Sequence, residues 1–328
     1  MPTDLETITT LSHAFGADDY VMGGGGNTSC KDDETLWIKP SGTTLSGLTP
    51  ERFIAMDRRR LATLFTLETP ADATAREALV KEVMAGAVRA ETPGRASVEA
   101  PVHECFRARF VVHTHPTRVN GLVCALGGRE TARRLFPDSL WMGYVDPGYT
   151  LSQRVREALA RHRETHGGRE PRLMWLENHG VFVAGDTDGE IRGTYAEVMG
   201  ALQAEYRVAG IAETVPSGAA PSAEWVAAAT ELLRTELGDE ARVVLAAPAV
   251  NAAAGPISPD HLVYAKSFSY EGVLAAAALR AFAARRGYWP RVVAAPEGLL
   301  ACGATPSVAA RALEFAQDAA RIRHLARA

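Results

Sequence analysis

Phe110-Val111-Val112-His113-Thr114-His115-Pro116 is a short apolar run that ends in two histidines. Consecutive bulky apolar residues closed by turn chemistry predict a buried strand over Phe110–His113. Residues two apart on a strand share a face, so His113 and His115 point the same way and Thr114 points the other. A second apolar run, Leu173-Met174-Trp175-Leu176, is followed by Glu177-Asn178-His179-Gly180 and then by Val181–Ala184. That pattern predicts two strands around a turn, with His179 at the strand end. Glu99 lies upstream, in a stretch that predicts a helix over Val98–Arg107.

Three imidazoles delivered from strand ends, with a carboxylate nearby, are what an open catalytic metal site requires. A His-x-His pair alone also suits a satisfied buried pair. His179 beside a glycine turn tips the balance toward metal ligation. Glu99 is then the natural acid/base; its other reading is an exposed helical glutamate. His103, one helical turn from Glu99, supports the site or lies on the helix surface. The remaining histidines show no comparable spacing.

Gly23-Gly24-Gly25-Gly26-Asn27-Thr28-Ser29 is a glycine-rich stretch whose backbone N–H groups could face an anion. No Gly-Lys-Ser/Thr follows, and the chain around it is not strand-to-helix with dinucleotide spacing. Ser41-Gly42 after a predicted strand at Leu36–Lys39, and Ser97 before Glu99, add small donors. Together they predict a phosphate or carboxylate pocket built from three short loops.

The bulk numbers exclude several classes. A chain of 328 residues can bury a large core in one or two domains. A formal net charge of −4 gives no global basic field for nucleic acid or an anionic membrane. No run approaches the ~20 apolar residues of a membrane span, and the polar, acidic Met1–Leu11 predicts no signal peptide. The cysteines Cys30, Cys105, Cys124 and Cys302 lack short paired spacing, which predicts reduced thiols and a cytoplasmic location.

Further elements follow from periodicity and turn signals. Helices are predicted at Thr7–Phe15, Ala75–Ala90, Val119–Leu126, Leu151–His162 and Asp188–Gly210, and a helix start at Thr49-Pro50. Leu140–Val145 predicts a strand. Glu213–Ser222, with two prolines, predicts a linker. Beyond it, helices at Ser222–Leu237, Tyr270–Arg286 and Ser307–Arg327 alternate with strands near Arg242–Leu245, Leu262–Tyr264 and Arg291–Ala295. This predicts a small α/β domain.

Five motifs in order resemble the class II aldolase/adducin family: Gly26-Asn27-Thr28-Ser29, Lys39-Pro40-Ser41-Gly42, Ser97-x-Glu99, His113-x-His115-Pro116 and Asn178-His179-Gly180. The resemblance covers about residues 5–212. It implies a three-layer α/β/α core with a central, mainly antiparallel sheet, in a domain at 1–214. The extension at 222–328 would be a small α/β domain. Glu99 would be catalytic, and His113, His115 and His179 would hold a divalent ion, zinc by family habit. Gly26, Asn27, Ser41, Gly42 and Ser97 would bind substrate phosphate. The implied activity is carbon–carbon cleavage or formation in a small sugar phosphate or related ketose, through a metal-stabilised enediolate. The alternatives are a sugar-phosphate 4-epimerase or decarboxylase using the same site, and a non-enzymatic, metal-stabilised interaction module. Epimerase relatives carry aspartate at the glutamate position, so Glu99 favours the aldolase. The implied partners are a small-molecule substrate and further copies of the chain, as a homo-oligomer (a tetramer by resemblance). A neighbouring tyrosine would then be a candidate acid, with Tyr144, Tyr149 and Tyr264 unranked. Fuculose-phosphate aldolase has a serine pair before its glutamate, whereas here Val98 follows Ser97. The tail is similar to the segment after the aldolase part of long rhamnulose-phosphate aldolase/dehydrogenase proteins.

Overall fold

The computed structural model describes residues 3–92, 94–251 and 255–327. It divides into two compact units, Met1–Ala204 and Glu205–Ala328. The division falls within helix Asp188–Val208. The proline-bearing stretch 213–221 holds no helix or strand.

The first unit is built on seven strands: β1 (Asn27–Lys31), β2 (Thr35–Ile38), β3 (Ile54–Asp57), β4 (Phe110–Thr114), β5 (Leu140–Met142), β6 (Leu173–Leu176) and β7 (Gly180–Gly185). Their order is β3-β2-β1-β4-β7-β6-β5. Every neighbouring pair is antiparallel except β5 with β6. β4 is thus central, and all five of its residues are buried. Alternation along β4 sorts its contacts. Val111 packs with Phe182 and Ala184 against Val102 and Phe106, and against Val155 and Leu159 of helix Tyr149–Thr165. Thr114 faces the other way and bonds Tyr195 of helix Asp188–Val208, Oγ1 to OH, at 2.8 Å. On that second face Ser12 of helix Asp4–Phe15 bonds Thr28 at 2.7 Å, and Phe15 packs on Tyr195 with ring centroids 4.2 Å apart. Helices therefore cover both faces of the sheet, giving the three-layer α/β/α core with its mainly antiparallel sheet.

The second unit carries β8 (Val243–Ala247), β9 (Tyr270–Glu271), β10 (Val292–Ala295) and β11 (Gly298–Gly303), in the order β8-β11-β10-β9. Leu233, Leu279, Val293 and Leu300 centre its own core. It is an α/β body, as expected.

Several expected elements are corrected. Glu99 stands just before a helix rather than on one: the helix is Ala100–Cys105, with Pro101 in its first turn, where no N–H donor is needed. Thr49-Pro50 opens only a 3-10 turn, Pro50–Arg52, after which the β-prone Phe53-Ile54-Ala55-Met56 enters β3 against β2. Leu262–Tyr264 is part of helix Pro259–Ala265, with Pro259 at its start and Leu262 and Val263 exposed. Tyr270–Arg286 is not one helix. Gly272, at φ 123°, separates β9 from a helix that starts at Ala276. Helix Gly128–Leu135 and the strands β1 and β11 add to the expected elements.

Candidate functional site

The site is set by strand pairing. His113 on β4 lies opposite Asn27 on β1 and opposite Phe182 on β7, so these three side chains share one face. The His113 ring stacks on Phe182, with centroids 3.9 Å apart and planes 11° from parallel. Its Nδ1 sits 2.9 Å from the Val181 carbonyl. A carbonyl only accepts, so Nδ1 carries the proton and Nε2 presents a lone pair to the site.

His115 lies one residue past β4 and keeps the parity of His113; its N–H donates to Tyr20 O at 3.0 Å. His179 ends the three-residue turn between β6 and β7. Asn178 takes the left-handed conformation there, at φ 53°, which asparagine tolerates better than most side chains. Gly180 follows because nothing larger fits: a Cβ would lie 2.5 Å from Thr114 O and 2.7 Å from His115 Cδ2.

One ring nitrogen from each of His113, His115 and His179 lies within 4.8 Å of the other two. The Nε2 atoms of His113 and His115 are 2.9 Å apart. Nitrogens bound to a tetrahedral zinc would be about 3.3 Å apart, within that span. Glu99 Oε1 lies 3.6 Å from Nε2 of both His113 and His179. Glu99 is 6% exposed, and Oε1 accepts no hydrogen bond among the described residues. A buried carboxylate oxygen without a donor is costly unless a cation faces it. This orphaned oxygen, with three converging imidazoles, fits a divalent ion.

The loops expected to bind an anion fall in two places. Asn27 is buried against Glu99, its Nδ2 donating to Glu99 Oε2. Gly26, at φ 66°, brings the start of β1 against the end of β4: a Cβ there would lie 2.8 Å from His113 O. Ser97 is buried, and its Oγ accepts from the Glu99 N–H at 3.3 Å. Ser41 is tied to the same strip, its N–H donating to Arg95 O at 2.8 Å, and Gly42 follows at φ 78° with open space around it. Gly26, Asn27 and Ser97 thus border the Glu99–His113 centre, and Ser41-Gly42 sits beyond Ser97.

His103 is fully buried, with Nδ1 2.8 Å from Ser29 Oγ. Burial holds its pKa well below the usual range, with the nearby His113 adding to the effect. It is an internal support for β1 rather than a surface residue. Tyr149 is buried and donates to Leu64 O at 3.1 Å, while the exposed Tyr144 donates to Asp146 at 2.8 Å. Tyr264, in the second unit, stacks on Phe315 at 4.6 Å. Arg95 and Lys39 also lie on this strip, and sequence reasoning assigns neither a role. Their signal is positional, two charged residues at period two with Ser41 and Ser97. A cleft of about 830 Å³ lies elsewhere, lined by Phe136, Asp138, His162, His166, Arg172 and Glu197, and holds none of the site residues.

The profile of the family described as Class II Aldolase and Adducin N-terminal domain matches residues 6–205. The chain belongs to this family. The match spans every residue of the site. The chain is also similar to a Bacillus subtilis (strain 168) protein named uncharacterized oxidoreductase YuxG, at 27% identity over 198 residues. That alignment covers 57% of this chain and 27% of the relative, so the chain spans about a quarter of the relative's length. Among solved structures it is similar to the N-terminal class II aldolase domain of a conserved protein from Thermoplasma acidophilum. The TM-score is 0.54 at 19% identity, over 62% of this chain and 94% of the other. It is also similar to L-fuculose-1-phosphate aldolase from Thermus thermophilus, with a TM-score of 0.39 at 20% identity, over 64% and 96%. The Thermoplasma likeness, at this identity, speaks to fold.

Proposed function

We propose that the protein is a divalent-metal-dependent aldolase acting on a small sugar phosphate or related ketose. The observation that carries this reading is the convergence of His113, His115 and His179 on one point, with an unsatisfied Glu99 oxygen facing it. The three imidazoles would hold the ion. When bound, it supplies a Lewis acid for the negative charge left on the substrate as the carbon–carbon bond breaks.

The chain's own residues do the rest. Val181 O fixes the His113 tautomer, and the Phe182 ring fixes its plane. Asn27 Nδ2 anchors one oxygen of Glu99, which leaves Oε1 aimed into the site. That oxygen is placed to give a proton to the carbanionic carbon after cleavage, or to take it before condensation. Burial of Glu99, His113 and His179 keeps bulk water from competing for this proton.

The test is metal analysis combined with a retro-aldol assay over short ketose phosphates and unphosphorylated ketoses. Zinc or a similar ion at one per chain, with release of a triose or aldehyde, is expected. Glu99→Gln is expected to lower kcat by roughly 10²–10⁴-fold with metal content unchanged. A chain that holds no divalent ion after supplementation would falsify the reading. So would full turnover in Glu99→Gln.

A further inference from the structure

Two segments beside the site form a short antiparallel ladder. Pro40 lies opposite Ala96, the Ser41 N–H donates to Arg95 O at 2.8 Å, and the Ser97 N–H donates to Lys39 O at 3.2 Å. Opposed residues in such a ladder share a face, and successive residues alternate. Ala96 points into the core with Leu36 and Ile38. Lys39, Ser41, Arg95 and Ser97 are therefore the other face. That face carries two cationic side chains and two hydroxyls. It begins at Ser97, whose Oγ is 3.3 Å from the Glu99 nitrogen, and ends at Arg95, whose Nη2 donates to Ser41 Oγ at 2.9 Å.

The two cations differ in availability. Lys39 is 2% exposed and donates to Gly24 O at 3.1 Å, which ties it to the glycine-rich loop. Arg95 is exposed, and its guanidinium has Ser41 Oγ as partner and no carboxylate among the described residues. A guanidinium presents five N–H donors in a planar fork matched to phosphate or carboxylate. One bond to a serine leaves most of that fork facing solvent. Val98, three residues further on and next to Ser97, is 53% exposed and offers no side-chain donor.

We propose that Arg95 recognises a terminal anionic group of the substrate, acting from the outer end of this face with Ser41 as its positioning partner. The inference rests on the aldolase reading for the substrate's other end, at the histidines. It names a specificity determinant that none of the five motifs contains. Lys39 ties the glycine loop to this face, and Arg95 supplies the directional contact. The arrangement selects an anion at the end of the ketose remote from the metal ligands.

The experiment is calorimetric titration of methyl phosphate and, separately, of propionate into the metal-loaded full-length chain at low salt. Wild type, Arg95→Lys, Arg95→Gln and Arg95→Ala are compared, with metal content and thermal melts recorded on the same samples. Wild type is expected to bind one of the two probes, which tells a phosphate from a carboxylate. Arg95→Ala and Arg95→Gln are each expected to weaken that binding by roughly ten- to hundred-fold, and Arg95→Lys by less. Gln can keep a donor to Ser41 but loses the charge, so wild-type affinity in Arg95→Gln would show a merely structural strap and overturn the proposal. Failure of wild type to bind either probe also overturns it. Absence of metal from all four proteins, with anion binding still dependent on Arg95, would sink the aldolase reading and leave this one standing.

Discussion

At the scale of single residues, the site depends on close approaches that leave no slack. Gly180 lies where β7 starts beside His115, and the Thr114 carbonyl and the His115 ring fill the space a side chain would need. Gly180→Ala must therefore move either the backbone of β4 or the His115 ring. The expected cost is about 1–3 kcal/mol of stability, read by urea denaturation, with a fall in metal affinity read by chelator competition. A variant with native stability and native metal affinity would show that the turn yields freely. The position of His179 is legible in the sequence through its neighbours, because an apolar run closing on Asn-His-Gly reads as a strand end. That Gly180 exists for the sake of His115 is not legible, since that contact joins residues far apart in the chain.

Among elements, the short helix Ala100–Cys105 sets the position of the Glu99 carboxylate, for Glu99 stands at its N-terminal end. A six-residue helix has little stability of its own. Its other end is held by Lys31 of β1, whose Nζ donates to His103 O and to Phe106 O at 2.7 Å. Those carbonyls would otherwise lack partners. Arg58 adds a bond to Glu104 at 2.9 Å. Burial pushes the Lys31 ammonium down to about 8, against about 10.4 for a lysine in an unfolded chain. Below about pH 8 both states are protonated and the desolvation cost is constant. Between about 8 and 10 the unfolded chain binds more protons, so stability rises with pH. Relative to Lys31→Met, wild type should gain on the order of 2–3 kcal/mol across that window, measured by denaturant unfolding at several pH values. Parallel curves for the two proteins would mean that Lys31 is not charged and buried as described. This helix also marks where sequence reading stops short. The Val98–Arg107 pattern is visibly helix-like, but its true start depends on Pro101 and on the Ser97–Glu99 turn. Those single positions move Glu99 from the helix body to its entrance. β3 escapes sequence reading for a related reason: Thr49-Pro50 is a sound helix-start signal, and pairing with β2 overrides it after one turn.

Considered as a whole molecule, the chain keeps all of its site residues in one unit. His113, His115, His179 and Glu99, with Asn27, Ser41 and Ser97, lie within Met1–Ala204, and so does the ladder that carries Arg95. The family match ends at 205, and the second unit has a separate core around Leu233, Leu279, Val293 and Leu300. Both the histidine motifs at the strand ends and the α/β character of the tail can be read from the sequence, because each depends on local patterning. The division between units cannot, because helix Asp188–Val208 is continuous in pattern and a boundary within a helix leaves no compositional trace. The helix itself belongs functionally to the first unit, since Tyr195 bonds Thr114 on the reverse side of the strand that bears His113. A chain ending at residue 212 keeps that helix whole and cuts where no helix or strand is present. It is expected to fold, to bind a divalent ion at the same stoichiometry as the full chain, and to unfold in one cooperative step. Metal analysis and circular dichroism of the purified fragment check this. A soluble, folded fragment without metal would mean that the second unit contributes to the site from outside the residues that converge on Glu99.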